Sequence, residues 1–287
     1  MMRNQEITGG SGPVINATGA AIDYDETGSG PAVLFLPGSY STGAAWRPIQ
    51  KQLSVQVRAI STSLCGYGAT HETRRPDDHD IEHHLRLVGS IATKAGAPLH
   101  LVGHSFGATV ALAAALSDRF DIRSLSLFEA NPLDILRAAN HLDAYDEVRG
   151  IAADLATANS VSDPDACAAI IDYWDGHGAF AALPSPVQTY CRSASAANEM
   201  DWRTAFDFTL SLTAIEALAI PVLLVRGARA NRAMVAMTDV LARHLSTRNV
   251  EIVGNASHSL ISTHAPDCAD LLSRFLQDQI SHAGAVR

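Results

Sequence analysis

Residues 101–112 read LVGHSFGATVAL, and this stretch decides the fold of the chain. The apolar LVG ends a predicted strand, and the small residues GATVAL begin a predicted helix. Between them, GHSFG at residues 103–107 matches the pattern G-x-S-x-G. A reversal from strand to helix in so few residues brings backbone close to positions 103 and 107, where glycine fits best. The stretch therefore predicts a tight turn that exposes the hydroxyl of Ser105 above a sheet, at a helix N-terminus.

On both sides of this turn, short apolar runs alternate with longer helical segments. Continuous apolar strands separated by helices indicate a mostly parallel sheet that is covered by helices on both faces, so the predicted fold class is α/β. The predicted strands are residues 32–36, 55–61, 98–103, 122–128, 221–226 and 249–253. The predicted helices are residues 80–94, 107–116, 232–245 and 266–279.

Residues 131–215 interrupt the alternation. They contain almost no strand-like run, whereas helix-capping signals and amphipathic helical spacing recur. We therefore expect an inserted helical cap at residues 131–215 and an α/β core formed by residues 14–130 and 216–287. Residues 1–13 are expected to form a flexible N-terminus.

Composition narrows the class of partner. The 287 residues carry 30 acidic and 21 basic side chains, a net charge of -9, which disfavours nucleic acid or an anionic membrane as a partner. No apolar stretch resembles a signal peptide or a membrane span, so a cytoplasmic protein is expected. The four cysteines are far apart and predict neither disulfides nor a zinc site. A small-molecule substrate is expected, and self-association into a homo-oligomer is left open.

The pair His79 and His83 has the i, i+4 spacing of some metal ligands, but an acidic, solvated helix N-terminus explains DDHDIEHH equally well. We expect no metal there because no distant ligand pair is evident. Tyr173, Trp174 and Trp202 in the inserted helices are expected to form the core of the cap rather than part of a site.

The turn and its context resemble the α/β-hydrolase superfamily, and the resemblance covers the chain from about residue 20 onward. IDYDETGSGPAVLFLPG (residues 22–38) resembles the opening hairpin and third strand of that fold, and LCGYGAT (64–70) resembles its D-x-x-G-x-G-x-S loop. Two features depart from the family: Pro37-Gly38 replaces the common His-Gly, and the second loop lacks its leading acid. The resemblance implies an α/β-hydrolase fold with a helical cap and a serine nucleophile that needs no cofactor.

Within that resemblance, Ser105 is the nucleophile and His258, in NASHSL, is the general base. His264 and His104 are the competing histidines, and we expect His104 to point away from the nucleophile along the turn. The oxyanion hole is expected from the backbone N–H groups of Phe106 and Ser39, with Tyr40 as the adjacent candidate. The alternative is that PGSYSTG is only a turn in which Thr42 caps the next helix.

The catalytic acid is missing from its usual place. The family carries it in the loop after the seventh strand, yet VLLVRGARANRA (222–233) contains no carboxylate there. Either the acid has moved, or Asn231 orients the histidine without a charge, or the site is inactive. The moved acid has a candidate in Glu129, which follows the strand LSLF at the sheet edge where active-site groups gather. This placement also resembles haloalkane dehalogenases, and Asp134 is a further candidate.

These residues favour a serine hydrolase that cleaves an ester-like bond through an acyl-enzyme, with Ser105, His258 and Glu129 as the triad. A non-catalytic ligand-binding protein of the same fold is the alternative from another class. Carbon–carbon hydrolysis, lactone hydrolysis and perhydrolysis would use the same groups. Epoxide hydrolysis is disfavoured because it needs an aspartate nucleophile.

Overall fold

A computed structural model describes residues 14–15, 19–96, 98–245 and 250–284 of the chain. The predicted flexible segment, residues 1–13, lies outside the described residues. The strands are β1 (Val14–Ile15), β2 (Ala21–Ile22), β3 (Asp25–Gly28), β4 (Ala32–Leu36), β5 (Arg58–Ser61), β6 (Leu99–His104), β7 (Ile122–Phe128), β8 (Val222–Gly227) and β9 (Val250–Val253). The helices are α1 (Arg47–Gln50), α2 (Glu82–Ala95), α3 (Phe106–Leu116), α4 (Asp134–Ala138), α5 (Leu142–Ser160), α6 (Ala166–Asp175), α7 (Ala179–Ala182), α8 (Ser185–Ser193), α9 (Ser195–Asp207), α10 (Leu212–Glu216), α11 (Arg232–His244), α12 (Leu260–Thr263) and α13 (Ala265–Gly284), with a short 3-10 helix at Gly43–Trp46.

In the described part of the chain, the main sheet has seven strands in the order β3-β5-β4-β6-β7-β8-β9, and only the β3–β5 pair is antiparallel. The predicted α/β fold with a mostly parallel sheet is therefore confirmed. One predicted strand, residues 55–61, is shorter than expected. It starts at Arg58 because its partner β4 begins at Ala32, which pairs with Arg58.

Both faces of the sheet are buried, as the continuous apolar strands predict. In β4 every residue is buried, and the side chains alternate between two core clusters. Leu34 packs on the face covered by α2, α3 and α11, whereas Val33 and Phe35 pack on the face covered by α1 and α13. The apolar run that indicated a strand thus reflects two separate hydrophobic layers.

Helices α4 to α10 occupy the chain between β7 and β8. We refer to these helices as the cap. The division of the chain into core and cap at residues 131 and 215 remains a prediction. Among the described residues, no helix is both long enough and apolar enough to cross a membrane.

Candidate active site

The turn at Ser105 joins β6 to α3 with φ 52° and ψ -126°. A Cβ atom on Gly107 would lie 2.2 Å from the carbonyl oxygen of Pro37, and one on Gly103 would lie 2.5 Å from the Cα of Ala108. Both distances are shorter than real Cβ contacts, so neither position accepts a side chain without movement of backbone. This is the crowding that the G-x-S-x-G pattern predicts.

Gly107→Ala is expected to lower the free energy of unfolding by about 1–3 kcal/mol, because the new methyl group overpacks against the backbone of β4. The matched control is Gly150→Ala, also within a helix, where a Cβ meets no atom within 4 Å. There the change is expected to stabilise the protein by about 0.4–1 kcal/mol. Urea unfolding of both variants measures the two effects, and shifts of the same sign would contradict the argument.

Ser105, His258 and Glu129 form a continuous hydrogen-bonded chain. His258 Nε2 lies 2.8 Å from Ser105 Oγ, and His258 Nδ1 lies 2.9 Å from Glu129 Oε2. All three side chains are buried. Because a carboxylate only accepts hydrogen bonds, Nδ1 carries the proton and Nε2 is left to accept the proton of the serine hydroxyl. This is the arrangement in which a histidine can act as a base toward Ser105.

Glu129 directly follows β7 and crosses toward the end of β8. Its N–H donates to the carbonyl of Val225 at 2.8 Å, and its Oε1 accepts a 2.6 Å hydrogen bond from the N–H of Gly227. The free oxygen, Oε2, faces His258. The carboxylate of Glu129 therefore lies at the end of β8, the strand that is followed by the loop without an acid.

The other candidate acids and orienting groups have different partners. Asn231 caps α11 through Met234 N–H at 2.9 Å and donates to the carbonyl of Tyr173 at 3.1 Å. Asp134 accepts hydrogen bonds from Arg137 Nε at 2.8 Å and from the N–H of Leu210. Neither side chain forms a hydrogen bond with the histidine.

The two expected oxyanion donors lie beside the nucleophile. Phe106 is the first residue of α3, where helical N–H groups have no partner within the helix. Ser39 lies after β4 in a loop where Tyr40 has φ 55°, and both residues line the same cavity as the nucleophile. Thr42 occupies the cap position of the 3-10 helix, but its side chain forms no capping hydrogen bond.

Three of the seven non-glycine residues that have positive φ in the described part of the chain lie at this site. Tyr40, Ser105 and Glu129 have φ values of 55°, 52° and 48°, in the region that favours glycine. Each such residue costs on the order of 1–3 kcal/mol and persists only where the surrounding structure holds it in place. Three strained residues from three separate loops thus converge on one point of the sheet edge.

Residues 33–271 match the model of the alpha/beta hydrolase family. The chain belongs to the alpha/beta hydrolase family. It is 37% identical over 124 residues to an epoxide hydrolase of Caballeronia sordidicola. The matched segment covers 40% of this chain and 36% of that protein. It is 28% identical over 123 residues to 2-(acetamidomethylene)succinate hydrolase of Mesorhizobium japonicum, which covers 43% of this chain and 44% of that protein.

A thermophilic esterase from Thermogutta terrifontis shares the fold of this alpha/beta hydrolase, with a TM-score of 0.73 at 17% identity over 94% of this chain and 99% of the other. The two curated relatives, by contrast, are matched over less than half of their own lengths. These likenesses establish family and fold, and the reaction has to be inferred from the site itself.

His104 does not point away from the site, so that prediction was wrong. Its Nε2 lies 2.8 Å from the carbonyl oxygen of His258, and the two rings are 4.9 Å apart. The reason is strand alternation, which places His104 on the same face of β6 as Val102, the face that the His258 loop covers. Burial, with the neighbouring His258, lowers the pKa of His104 to about 3. His104 is therefore neutral and donates the hydrogen bond that holds the His258 backbone.

The other competing histidine, His264, pairs instead with the hydroxyl of Thr263 on the exposed surface. His79 hydrogen-bonds to Asp207 at 2.8 Å, and His83 contacts Asp78 and Thr73. In the described part of the chain, no cluster of three or more histidine, cysteine or acidic side chains could hold a metal ion.

The sequence did not identify Asn131 and Asp175 as residues of the site, and it assigned Trp174 to the core of the cap alone. Asn131 donates to Ser105 Oγ at 3.3 Å, and Asp175 in α6 contacts both neighbours of His258. Trp174 stacks on the His258 ring at 5.1 Å. Trp174 and Trp202 pack in the core as expected, yet they also line the cavity, because α6 and α9 lie directly over the sheet edge.

The cavity above Ser105 has a volume of about 590 Å³ and a largely apolar lining from the cap. Among the residues that the structure describes, no lysine or arginine lines it, and its ionisable groups are Asp175, Asp201, His104, His258, the phenol of Tyr40 and the thiol of Cys191. The candidate nucleophile and base thus face a largely apolar cavity in which no lysine or arginine is found among the described residues.

Proposed function

We propose that this alpha/beta hydrolase is a serine hydrolase that cleaves an ester-like bond of an uncharged, mainly apolar small molecule through an acyl-enzyme. The observation that carries the proposal is the hydrogen-bonded series Ser105–His258–Glu129, beside a largely apolar cavity. In this proposal Ser105 is the nucleophile, His258 is the base and Glu129 orients His258. The backbone N–H groups of Phe106 and Ser39 form the oxyanion site.

In the first half-reaction, Ser105 Oγ attacks the ester carbonyl while His258 Nε2 takes the hydroxyl proton. Glu129 stabilises the imidazolium, and the backbone donors bind the negative oxygen. Collapse of the tetrahedral intermediate breaks the bond to the leaving alcohol, which receives the proton from His258. In the second half, water attacks the acyl-serine with the same base, and the acid product leaves as Ser105 is restored.

The partial similarity to an epoxide hydrolase does not extend to a mechanism with Ser105 as nucleophile. Attack of a carboxylate on an epoxide gives an ester, which water can hydrolyse at its acyl carbon. Attack of a serine hydroxyl on an epoxide would give an alkyl ether, which has no acyl carbon for water to attack. Ser105 therefore favours an acyl substrate.

The charges in the cavity support an uncharged substrate. Burial alone would raise the pKa of Asp175, but His258 and the hydrogen bonds from Ser257 and Ser259 outweigh it, so the pKa lies below its ordinary value. Asp175 is thus an anion at neutral pH. A substrate carboxylate would lose its hydration next to this anion without gaining a cation, which costs several kcal/mol in a buried site.

A comparison of two esters of nearly equal size tests the reaction and the charge preference together. Ethyl butyrate is expected to have a kcat/KM about 10²-fold higher than monoethyl succinate, which differs by a carboxylate in place of the terminal methyl group. Ethanol release measures both rates. Equal rates would contradict the charge argument. Absence of hydrolysis of ethyl butyrate and of p-nitrophenyl esters from acetate to decanoate would instead favour the non-catalytic alternative.

A further inference from the structure

The cap contacts the oxyanion side of the site through one buried carboxylate. Asp201, in α9, accepts hydrogen bonds at its Oδ2 from Ser39 Oγ at 2.5 Å and from Tyr67 OH at 2.6 Å. Its Oδ1 accepts from Arg74 at 2.6 Å, and the side chains of Asp201 and Arg74 are 2% and 0% exposed. A cap residue thus fixes the side chain of the residue whose backbone N–H is the proposed oxyanion donor.

A second carboxylate of the cap contacts the loop that carries His258. Asp175, at the end of α6, accepts from Ser257 Oγ at 2.7 Å and from Ser259 N at 2.7 Å through Oδ1, and from Ser259 Oγ at 2.6 Å through Oδ2. These two serines flank His258, whose ring stacks on Trp174, the residue before Asp175. The backbone on both sides of the proposed base is therefore tied to the cap.

We propose that Asp201 and Asp175 are positioning residues, through which the cap holds the oxyanion loop (residues 37–42) and the histidine loop (residues 254–259) in reactive geometry. The inference rests on the proposed function and adds a role for the cap beyond shaping the substrate cavity. Loops are the mobile parts of a fold, and a misplacement of about 1 Å can cost about 10²-fold in rate.

Asp201 is paired with a cation inside the protein, and burial raises the pKa of its carboxyl group against the opposing effects of Arg74 and the two hydroxyl donors. Arg74 reaches the carboxylate from the core and also contacts Glu72 at 2.7 Å, and these acids raise the pKa of Arg74 against the effect of burial. The arginine stays cationic, so the anchor for Ser39 is present before any substrate binds. The oxyanion loop is in this sense preorganised by the cap.

Two matched substitutions test the oxyanion anchor. Asp201→Ala would remove one of the two carboxylates that pair with the buried Arg74 and could unfold the protein, so the donors are changed instead. Ser39→Ala and Tyr67→Phe each remove one hydroxyl group from the same oxygen of Asp201. With p-nitrophenyl butyrate, Ser39→Ala is expected to lower kcat about 10-fold with KM nearly unchanged, because the backbone N–H remains but loses its fixed position. Tyr67→Phe is expected to keep kcat within about twofold of the wild-type value. Its Tm is expected to fall by about as much as the Tm of Ser39→Ala, because each variant loses one hydrogen bond to Asp201.

The histidine anchor has its own control on the same helix. Asp175→Asn removes the negative charge and exchanges one acceptor oxygen for an N–H₂ donor, which weakens the hydrogen bonds with Ser257 and Ser259, and it is expected to lower kcat about 10-fold. Asp172→Asn weakens the bonds to the N–H groups of Gly178 and Phe180, at 2.8 Å each, which lie within the cap. This control is expected to change Tm but to keep kcat within about twofold.

The outcomes separate this inference from the proposed function. If the wild-type protein hydrolyses the ester but Ser39→Ala and Asp175→Asn match their controls in kcat, the positioning role is wrong and the hydrolase remains. A rise in KM at constant kcat would also overturn it, since the cap would then act on substrate binding alone. If kcat falls relative to the control in only one of the two pairs of variants, the positioning role of the cap is wrong for the loop that the other pair tests. If wild type releases no nitrophenol and Ser105 reacts with no fluorophosphonate, the proposed function itself fails.

Discussion

Replacing Ser105 with alanine is expected to lower kcat on the order of 10⁶-fold, about 8 kcal/mol of barrier, whereas the structure should change little. The alanine removes the atom that forms the acyl-enzyme and leaves His258 with no hydroxyl to deprotonate. The oxyanion donors and the cavity remain, so a residual rate over water and substrate binding should survive.

A fluorophosphonate probe reads out the same residue independently of turnover. The wild-type protein should gain the mass of one phosphonyl group, and Ser105→Ala should gain none. Ser117→Ala, at the other end of α3, is the control, because its hydroxyl contacts only the local helix end. Undiminished ester hydrolysis by Ser105→Ala would remove the acyl-enzyme mechanism, whatever the labelling shows.

The sequence could predict the fold and the tight turn that carries Ser105, because both depend on local patterns. A parallel sheet that is buried on both faces requires apolar runs, and the turn at Ser105 requires small residues at fixed positions. Each pattern can therefore be recognised within about ten residues of sequence. The backbone positions of Phe106 and Ser39 follow from the same turn and the neighbouring strand. Their side chains carried no information, since the oxyanion donors are backbone groups.

The position of Glu129 was predictable from topology rather than from local sequence. Neighbouring parallel strands end at one edge, and the register pairs Phe128 with Val225, so the next residue of β7 lies beside the end of β8. The hydrogen bond from Gly227 to Glu129 then follows from this placement. A strand-end argument could name Glu129 as a candidate, and the structure adds that Glu129 forms a hydrogen bond with His258 whereas Asn231 bonds to Tyr173.

The contributions of the cap could not be predicted. Helical periodicity shows that α6 has an apolar face, but it does not show which part of the core that face meets. Trp174 and Asp175 therefore looked like ordinary residues of a helix end, although they lie against His258 and its neighbours. His104 was mispredicted for a related reason, because its partner is a backbone carbonyl 154 positions away.

Glu129→Gln is expected to lower kcat by up to about 10⁴-fold, roughly 5 kcal/mol of barrier. The glutamine keeps the shape of the side chain, and its Oε1 can still accept from the N–H of Gly227. Its N–H₂ group must then face His258 Nδ1. Two donors cannot share that contact, so the ring proton moves to Nε2, where it points at the serine that the histidine must deprotonate. The negative charge that stabilises the imidazolium is lost as well.

Asn231→Ala is the control, because this side chain lies in the loop where the family carries its acid. It caps α11 and contacts Tyr173, so its loss is expected to cost about 1 kcal/mol of stability and less than about twofold in kcat. Steady-state kinetics and thermal unfolding give kcat and Tm for each of the two variants. A loss of the charge beside His258 should lower kcat, whereas a loss of the helix cap should lower Tm. Full activity in Glu129→Gln together with a large loss in Asn231→Ala would reverse the assignment. The loop after β8 would then hold the orienting group, and the contact between Glu129 and His258 would be structural only.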